Sequence, residues 1–179
     1  LMFAGFSIIP YISPYLVANA GLPETDLPIL YFCGGLVTLV SSRSIGRLAD
    51  HWGKREVFIG VAALSIAPIL VITHITHASL LTAVIVMVFF MVLVSGRLVP
   101  AIALIASSVE PRLRGSFMNF NSSIQQLSAG LAAAGAGAII GKTPGGALTH
   151  YDVVGLLATV CTLVCIALAW RLGRHIPVS

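Results

Sequence analysis

Six apolar runs separated by short polar stretches constrain this chain more than any motif does. They cover about residues 2–19, 28–45, 57–74, 80–108, 116–141 and 153–170. A membrane-spanning helix needs about 20 mostly apolar residues, with a range of roughly 17–25. Charged residues make up 9% of the 179, against about 25% in a soluble domain, and mean hydropathy is +1.01. Strict apolar–polar alternation is absent and irregular backbone cannot face lipid, so helices rather than a closed barrel are expected. The expected fold is an all-α membrane protein of six transmembrane helices.

The few charges are sorted by side. The stretches at 43–56 and 109–115 and the tail from Arg171 hold Arg43, Arg47, Lys54, Arg55, Arg112, Arg114, Arg171 and Arg174 against Asp50, Glu56 and Glu110. The alternate stretches hold Lys142 against Glu24, Asp26 and Asp152. The positive-inside bias puts the first group in the cytoplasm. The chain is accordingly expected to start outside and end inside. Its net charge of +4 is topology and implies no nucleic-acid partner. Leu1 opens in the middle of an apolar run with no basic segment before it, which reads as a cut through a longer polypeptide rather than as a signal peptide.

Polar residues inside the runs mark the candidate functional positions. Pro10 and Pro14, beside Tyr11 and Tyr15, break the first helix. It is either merely kinked or lines a cavity with its tyrosines. Arg97 stands 13 residues before Glu110, about 20 Å from the inner end at ~1.5 Å per residue. An arginine at that depth faces a watery cavity or a partner, which makes it a functional position, or it is held by backbone carbonyls. Gly96 and Pro100 make local irregularity expected there. In the fifth helix, Asn119, Ser122, Ser123 and Gln126 share one face, and Asn121, Gln125 and Ser128 the opposite one. One face is expected to line a cavity, the other to pack on a neighbouring helix or a domain outside this chain. Gly130, Ala134, Gly137 and Gly141 form a ridge that permits close helix approach. The third and sixth helices carry only scattered Ser, Thr and Cys and are expected to face lipid.

Several look-alike motifs carry no chemistry. Ala136 to Thr143 fits a loose phosphate-loop pattern but ends a membrane helix instead of joining a strand to a helix. Tyr151-Asp152 lacks the second aspartate that an intramembrane protease needs. Cys33, Cys161 and Cys165 have no His or carboxylate nearby in sequence to complete a metal site and read as small apolar fillers. The five histidines fall in or near loops. No enzyme, metal or cofactor is expected.

Gly46-Arg47-Leu48-Ala49-Asp50-His51-Trp52-Gly53-Lys54-Arg55, after the second run, resembles the cytoplasmic loop of the major facilitator superfamily. That pattern is Gly, three residues, Asp, a basic residue, any residue, Gly, any residue, then two basic residues. Gly46, Asp50, Gly53 and Arg55 match; His51 and Glu56 replace two of the basic positions, and Lys54 supplies a cation one position early. Pro28 to Gly35 and the Glu110-Pro-Arg-Leu-Arg-Gly115 turn resemble bacterial drug and sugar exporters of the same superfamily. The resemblance implies the C-terminal half of a twelve-helix secondary transporter, built as two inverted three-helix repeats, with the N-terminal half as its missing partner. It implies alternating access and proton-coupled export (antiport) of small amphiphilic solutes such as drugs or sugars, in a bacterial inner membrane. Tyr11, Tyr15, Arg97, Asn119 and Gln126 would contact substrate, and Gly46, Arg47, Asp50, Gly53, Lys54 and Arg55 would form the conformational-switch loop. Asp50 would meet a helix N-terminus of the other half. No Asp or Glu lies deep in the six runs, so a carboxylate proton site would belong to that half. A six-helix channel or oligomeric pore, and an importer of the same superfamily, are the alternatives.

Overall fold

The computed structural model describes residues 1–107 and 109–175, with side chains as far as Arg171. Ser108, the expected last residue of the fourth span, and the side chains of Arg174 and His175 lie outside the described residues. The chain is almost wholly helical: α1 (Met2–Phe6), α2 (Ile12–Ala18), α3 (Leu27–Trp52), α4 (Lys54–His74), α5 (Leu80–Gly96), α6 (Leu98–Ser107), α7 (Arg114–Ile139) and α8 (Tyr151–His175). Two two-residue strands, β1 (Gly141–Lys142) and β2 (Leu148–Thr149), pair antiparallel between α7 and α8.

Among the described residues, four helical segments are long and apolar enough to cross a membrane: Glu24–Trp52, Lys54–His74, Leu80–Ser107 and Tyr151–Arg171. The other two expected spans differ for identifiable reasons. The first is split by a 3-10 turn at Ile9–Tyr11, because Pro10 and Pro14 cannot donate to the helix ladder. The fifth, α7, is one helix of 26 residues, about 39 Å at ~1.5 Å per residue, but its first half is rich in Asn, Gln and Ser. The fourth run breaks at Arg97 into α5 and α6.

Three expectations are corrected. The stretch 43–56 is not a loop: α3 runs unbroken to Trp52, because nothing between Arg43 and Trp52 stops a helix, and the only non-helical residue before α4 is Gly53. The third helix is not mainly lipid-facing. Half of the apolar window of α4 is buried, more than in the other three spans, as it packs on α3, α5, α6 and α8. Nor does Leu1 lie at the end of the bundle opposite the end of α8. The Leu1 amino group is 3.4 Å from Cys165 Sγ, late in α8, and Arg55 beside Gly53 donates to the Trp170 carbonyl at 3.0 Å. Leu1 thus sits in the half of the bundle nearer Gly53 and the end of α8.

The far end is tied separately. The Asn19 side chain donates to the Leu148 carbonyl at 2.9 Å and accepts from the Leu148 N–H at 2.8 Å, and Ala78 N–H donates to the Ala20 carbonyl at 3.4 Å. Between the ends the core is Ile8, Ile12, Leu16, Leu30, Ile69, Ile72, Met87, Phe90 and Val154. Close approach of α4 and α8 depends on Gly155, where an added Cβ would fall on the Thr73 hydroxyl. Thr73 cannot easily yield, since its hydroxyl is held by the Ile69 carbonyl at 3.0 Å. Overpacking of this kind costs about 1–3 kcal/mol. Gly155→Val is therefore expected to lower the melting temperature of the detergent-solubilised protein, and Thr73→Ala to restore part of it; additive losses in the double variant would show that the two residues do not share this contact.

Candidate functional site

The Gly46–Arg55 stretch is a helix end, a one-residue break and a helix start. Gly53 makes the break with φ 100° and ψ 136°, a left-handed φ that side-chain-bearing residues rarely adopt. A Cβ there would also fall on the Glu56 carboxylate. Glu56 lies in the first turn of α4, where the helix dipole favours an anion, and Arg55 pairs with it at 3.7 Å. With Nη2 on the Trp170 carbonyl, Arg55 ties the break to α8. Asp50 is exposed in the last turn of α3. That is the negative end of a helix dipole, where a carboxylate is disfavoured. Among the described residues Asp50 has no ion-pair partner, so no ion pair among these residues rewards a negative charge there.

Arg97 is fully buried, at 1% exposure. It caps the C-terminus of α5, so its charge lies at the negative end of that helix. Its Nη1 donates to Ser65 Oγ of α4 at 3.2 Å and to Thr162 Oγ1 of α8 at 3.1 Å. Each hydroxyl passes its own proton to a carbonyl of its helix, Ser65 to Ala62 at 2.7 Å and Thr162 to Ala158 at 2.9 Å. The guanidinium is thus solvated by dipoles with no carboxylate involved, and its Nε remains without a partner. Both hydroxyls come from helices that otherwise read as bland. Their signal in the sequence was weak, a lone Ser in one apolar run and one of two Thr in the other.

The tyrosines of the first helix point two ways. Tyr11 donates to the Ala133 carbonyl of α7 at 3.0 Å, and Gly137 leaves room for its hydroxyl, which a Cβ would approach to 2.5 Å. Tyr15 is buried, its ring centroid 4.5 Å from that of Tyr151. Tyr151 donates to the Ile8 carbonyl at 3.0 Å, at the proline break. On α7, Asn119, Ser122, Ser123 and Gln126 are exposed, and Asn121, Gln125 and Ser128 turn inward to line a cleft against α6 and α8. The expected sites are therefore not one cluster. Asn119 and Gln126 share an exposed face, Tyr11 braces that same helix farther along, and Arg97 and Tyr15 sit behind it.

The structure is that of a helical membrane protein with a one-residue glycine break between two long apolar helices and a buried arginine. The sequence matches the family model of the Major Facilitator Superfamily over residues 1–178. The chain belongs to that superfamily. It is 23% identical over 158 residues to an uncharacterized MFS-type transporter, YbcL, of Bacillus subtilis strain 168. The match covers 87% of this chain and 40% of the relative, so the chain spans about two fifths of that protein's length. No solved structure matches it.

The environment of Arg97 gives a prediction with a definite sign. Removing the guanidinium leaves both hydroxyls bonded to their own helices, so no polar group is orphaned. Replacing buried ionic groups by apolar side chains of similar size is often neutral or stabilising by about 1–4 kcal/mol. Arg97→Met is expected to keep or raise the melting temperature of the detergent-solubilised protein. A variant that melts lower would make the charge a structural one.

Proposed function

We propose that this chain forms the C-terminal half of a twelve-helix secondary transporter. It works by alternating access against an N-terminal half and exports small amphiphilic solutes from a bacterial cytoplasm in exchange for protons. The reading rests on superfamily membership together with one physical observation. Asp50 is held at the wrong end of its own helix, exposed and unpaired among the described residues. A carboxylate so placed gains from a second helix N-terminus, by about 0.3–1 kcal/mol when exposed and more when partly buried. That partner belongs to the other half and is met in only one conformation. States that interconvert differ by a few kcal/mol, so a contact of this size biases the switch.

The six crossings run with residues 53 and 110 at the cytoplasmic end, and the first segment also starts there. Asn119 and Gln126, on the exposed face of α7, touch solute, and Tyr11 fixes that helix against the broken first segment. Arg97 acts from behind this face. The acidic residues of the chain all lie at helix ends or between helices, so the proton-carrying carboxylate sits in the N-terminal half. The activity is transport, not catalysis.

Asp50→Asn keeps shape and removes charge. In proteoliposomes of the full-length transporter it is expected to slow solute exchange about tenfold, which corresponds to about 1.4 kcal/mol, with unchanged insertion and a melting temperature that holds or rises slightly. An unaltered rate would remove Asp50 from the switch. Everted vesicles that accumulate no dye, with ethidium as reporter, when a proton gradient is imposed would count against proton-driven export itself.

A further inference from the structure

At the Gly53 end, the seam between α4 and α8 gathers cations and aromatic rings that the transport reading leaves unused. Trp52 and Trp170 are exposed there, at 67% and 48%, and tryptophan is enriched where a bilayer meets water. Arg55 is bound to the Trp170 carbonyl. Arg171 follows Trp170 in sequence and is exposed, with no ion-pair partner among the described residues. Glu56 is the acid paired with Arg55. Two cations and one carboxylate leave a single positive charge, which one phosphodiester neutralises.

An apolar track leads up to these charges. Val160, Leu163 and Ala167 are exposed and spaced three and four residues apart, so they share one face of α8. Val160 stands 11 residues before Arg171, about 16 Å at ~1.5 Å per residue. That is close to the depth of one leaflet in a core of about 30 Å. Beside the track, Ile59 of α4 and Ile166 of α8 are only partly buried. Arg55 is already fixed at the head of the seam. Its Nη2 is held by the Trp170 carbonyl at 3.0 Å and its Nη1 lies 3.7 Å from Glu56, yet the side chain stays 22% exposed. Nε is enclosed, so the hydrogens left for a ligand are those on the terminal nitrogens. A guanidinium held in place loses little freedom on binding, and phosphate oxygens suit its fork.

We propose that this end of the α4–α8 seam binds one anionic phospholipid of the surrounding bilayer. Its phosphodiester lies between Arg55 and Arg171, its glycerol at the level of Trp170, and one acyl chain along Val160, Leu163 and Ala167. General attraction of basic residues to an anionic leaflet falls on every exposed cation alike. This site instead ranks Arg55 and Arg171 above Arg114, which is exposed at the start of α7. The site lies on other helices than the Asn119–Gln126 face and is independent of transport direction and coupling, so its failure would leave the transport reading intact.

Native mass spectrometry counts the lipids that a membrane protein retains. The full-length transporter would be released from dodecyl maltoside in the presence of equimolar dioleoylphosphatidylglycerol and dioleoylphosphatidylcholine. The wild type is expected to keep one phosphatidylglycerol that Arg55→Gln and Arg171→Gln each lose, its occupancy falling at least fivefold. Arg114→Gln removes one charge elsewhere and should keep that lipid. Arg171 is exposed and ties no helix to another among the described residues, so Arg171→Gln carries the test should Arg55→Gln not accumulate. Phosphatidylcholine retained equally and lost in the same variants would make the site indifferent to charge and overturn it. A loss of equal size in Arg114→Gln, or no loss in Arg171→Gln, would overturn it as well, leaving only diffuse attraction to the leaflet.

Discussion

Inside a bilayer no water is available to answer a backbone group released by a broken helix, and that constraint organises the polar chemistry of this chain. The first segment breaks at its prolines, and the Ile8 carbonyl is answered by the Tyr11 N–H at 3.0 Å and the Tyr151 hydroxyl. The fourth apolar run breaks at Arg97, where two hydroxyls from neighbouring helices receive the guanidinium. The turn carrying β2 is answered on both its N–H and its C=O by the Asn19 amide. Each break needs a side chain from a different helix, so the breaks also stitch the bundle. A helix that could otherwise slide past its neighbour is fixed where it is least regular.

The same constraint separates what the sequence tells from what it conceals. Hydropathy marks α4, α5 with α6, and α8, because apolar length is a property of one segment. The prolines announce the break in the first segment, and Gly96 with Pro100 announce the break at Arg97. Partners are a property of two segments and leave fainter traces. Ser65 and Thr162 look incidental until Arg97 is placed between them, and Tyr15 looks cavity-facing until Tyr151 closes over it. The loop signature concealed its own secondary structure: its charges suggest a loop, but Arg47, Leu48 and Ala49 are good helix formers, and only Gly53 has the φ that ends the helix. The two polar faces of α7 follow from 100° periodicity. Which one turns inward depends on Ala129, Ala132 and Ala136, the small buried residues that seat α7 against its neighbours.

Among the charges around Gly53, Glu56 and Arg55 are satisfied within the described residues and Asp50 has no ion-pair partner there. Glu56 gains from the N-terminus of its own helix and from Arg55, and Arg55 gains from Glu56 and the Trp170 carbonyl. These contacts all lie within this chain, between the Gly53 break and α8. Asp50, a few residues earlier, is opposed by the dipole of α3 and has no such contact among the described residues. If the stretch served only to join two helices, a neutral or basic residue at position 50 would be the more stable choice on the α3 dipole. A residue that is locally unfavourable on a well-satisfied frame is what a switch requires, because its energy is then free to depend on where another body stands.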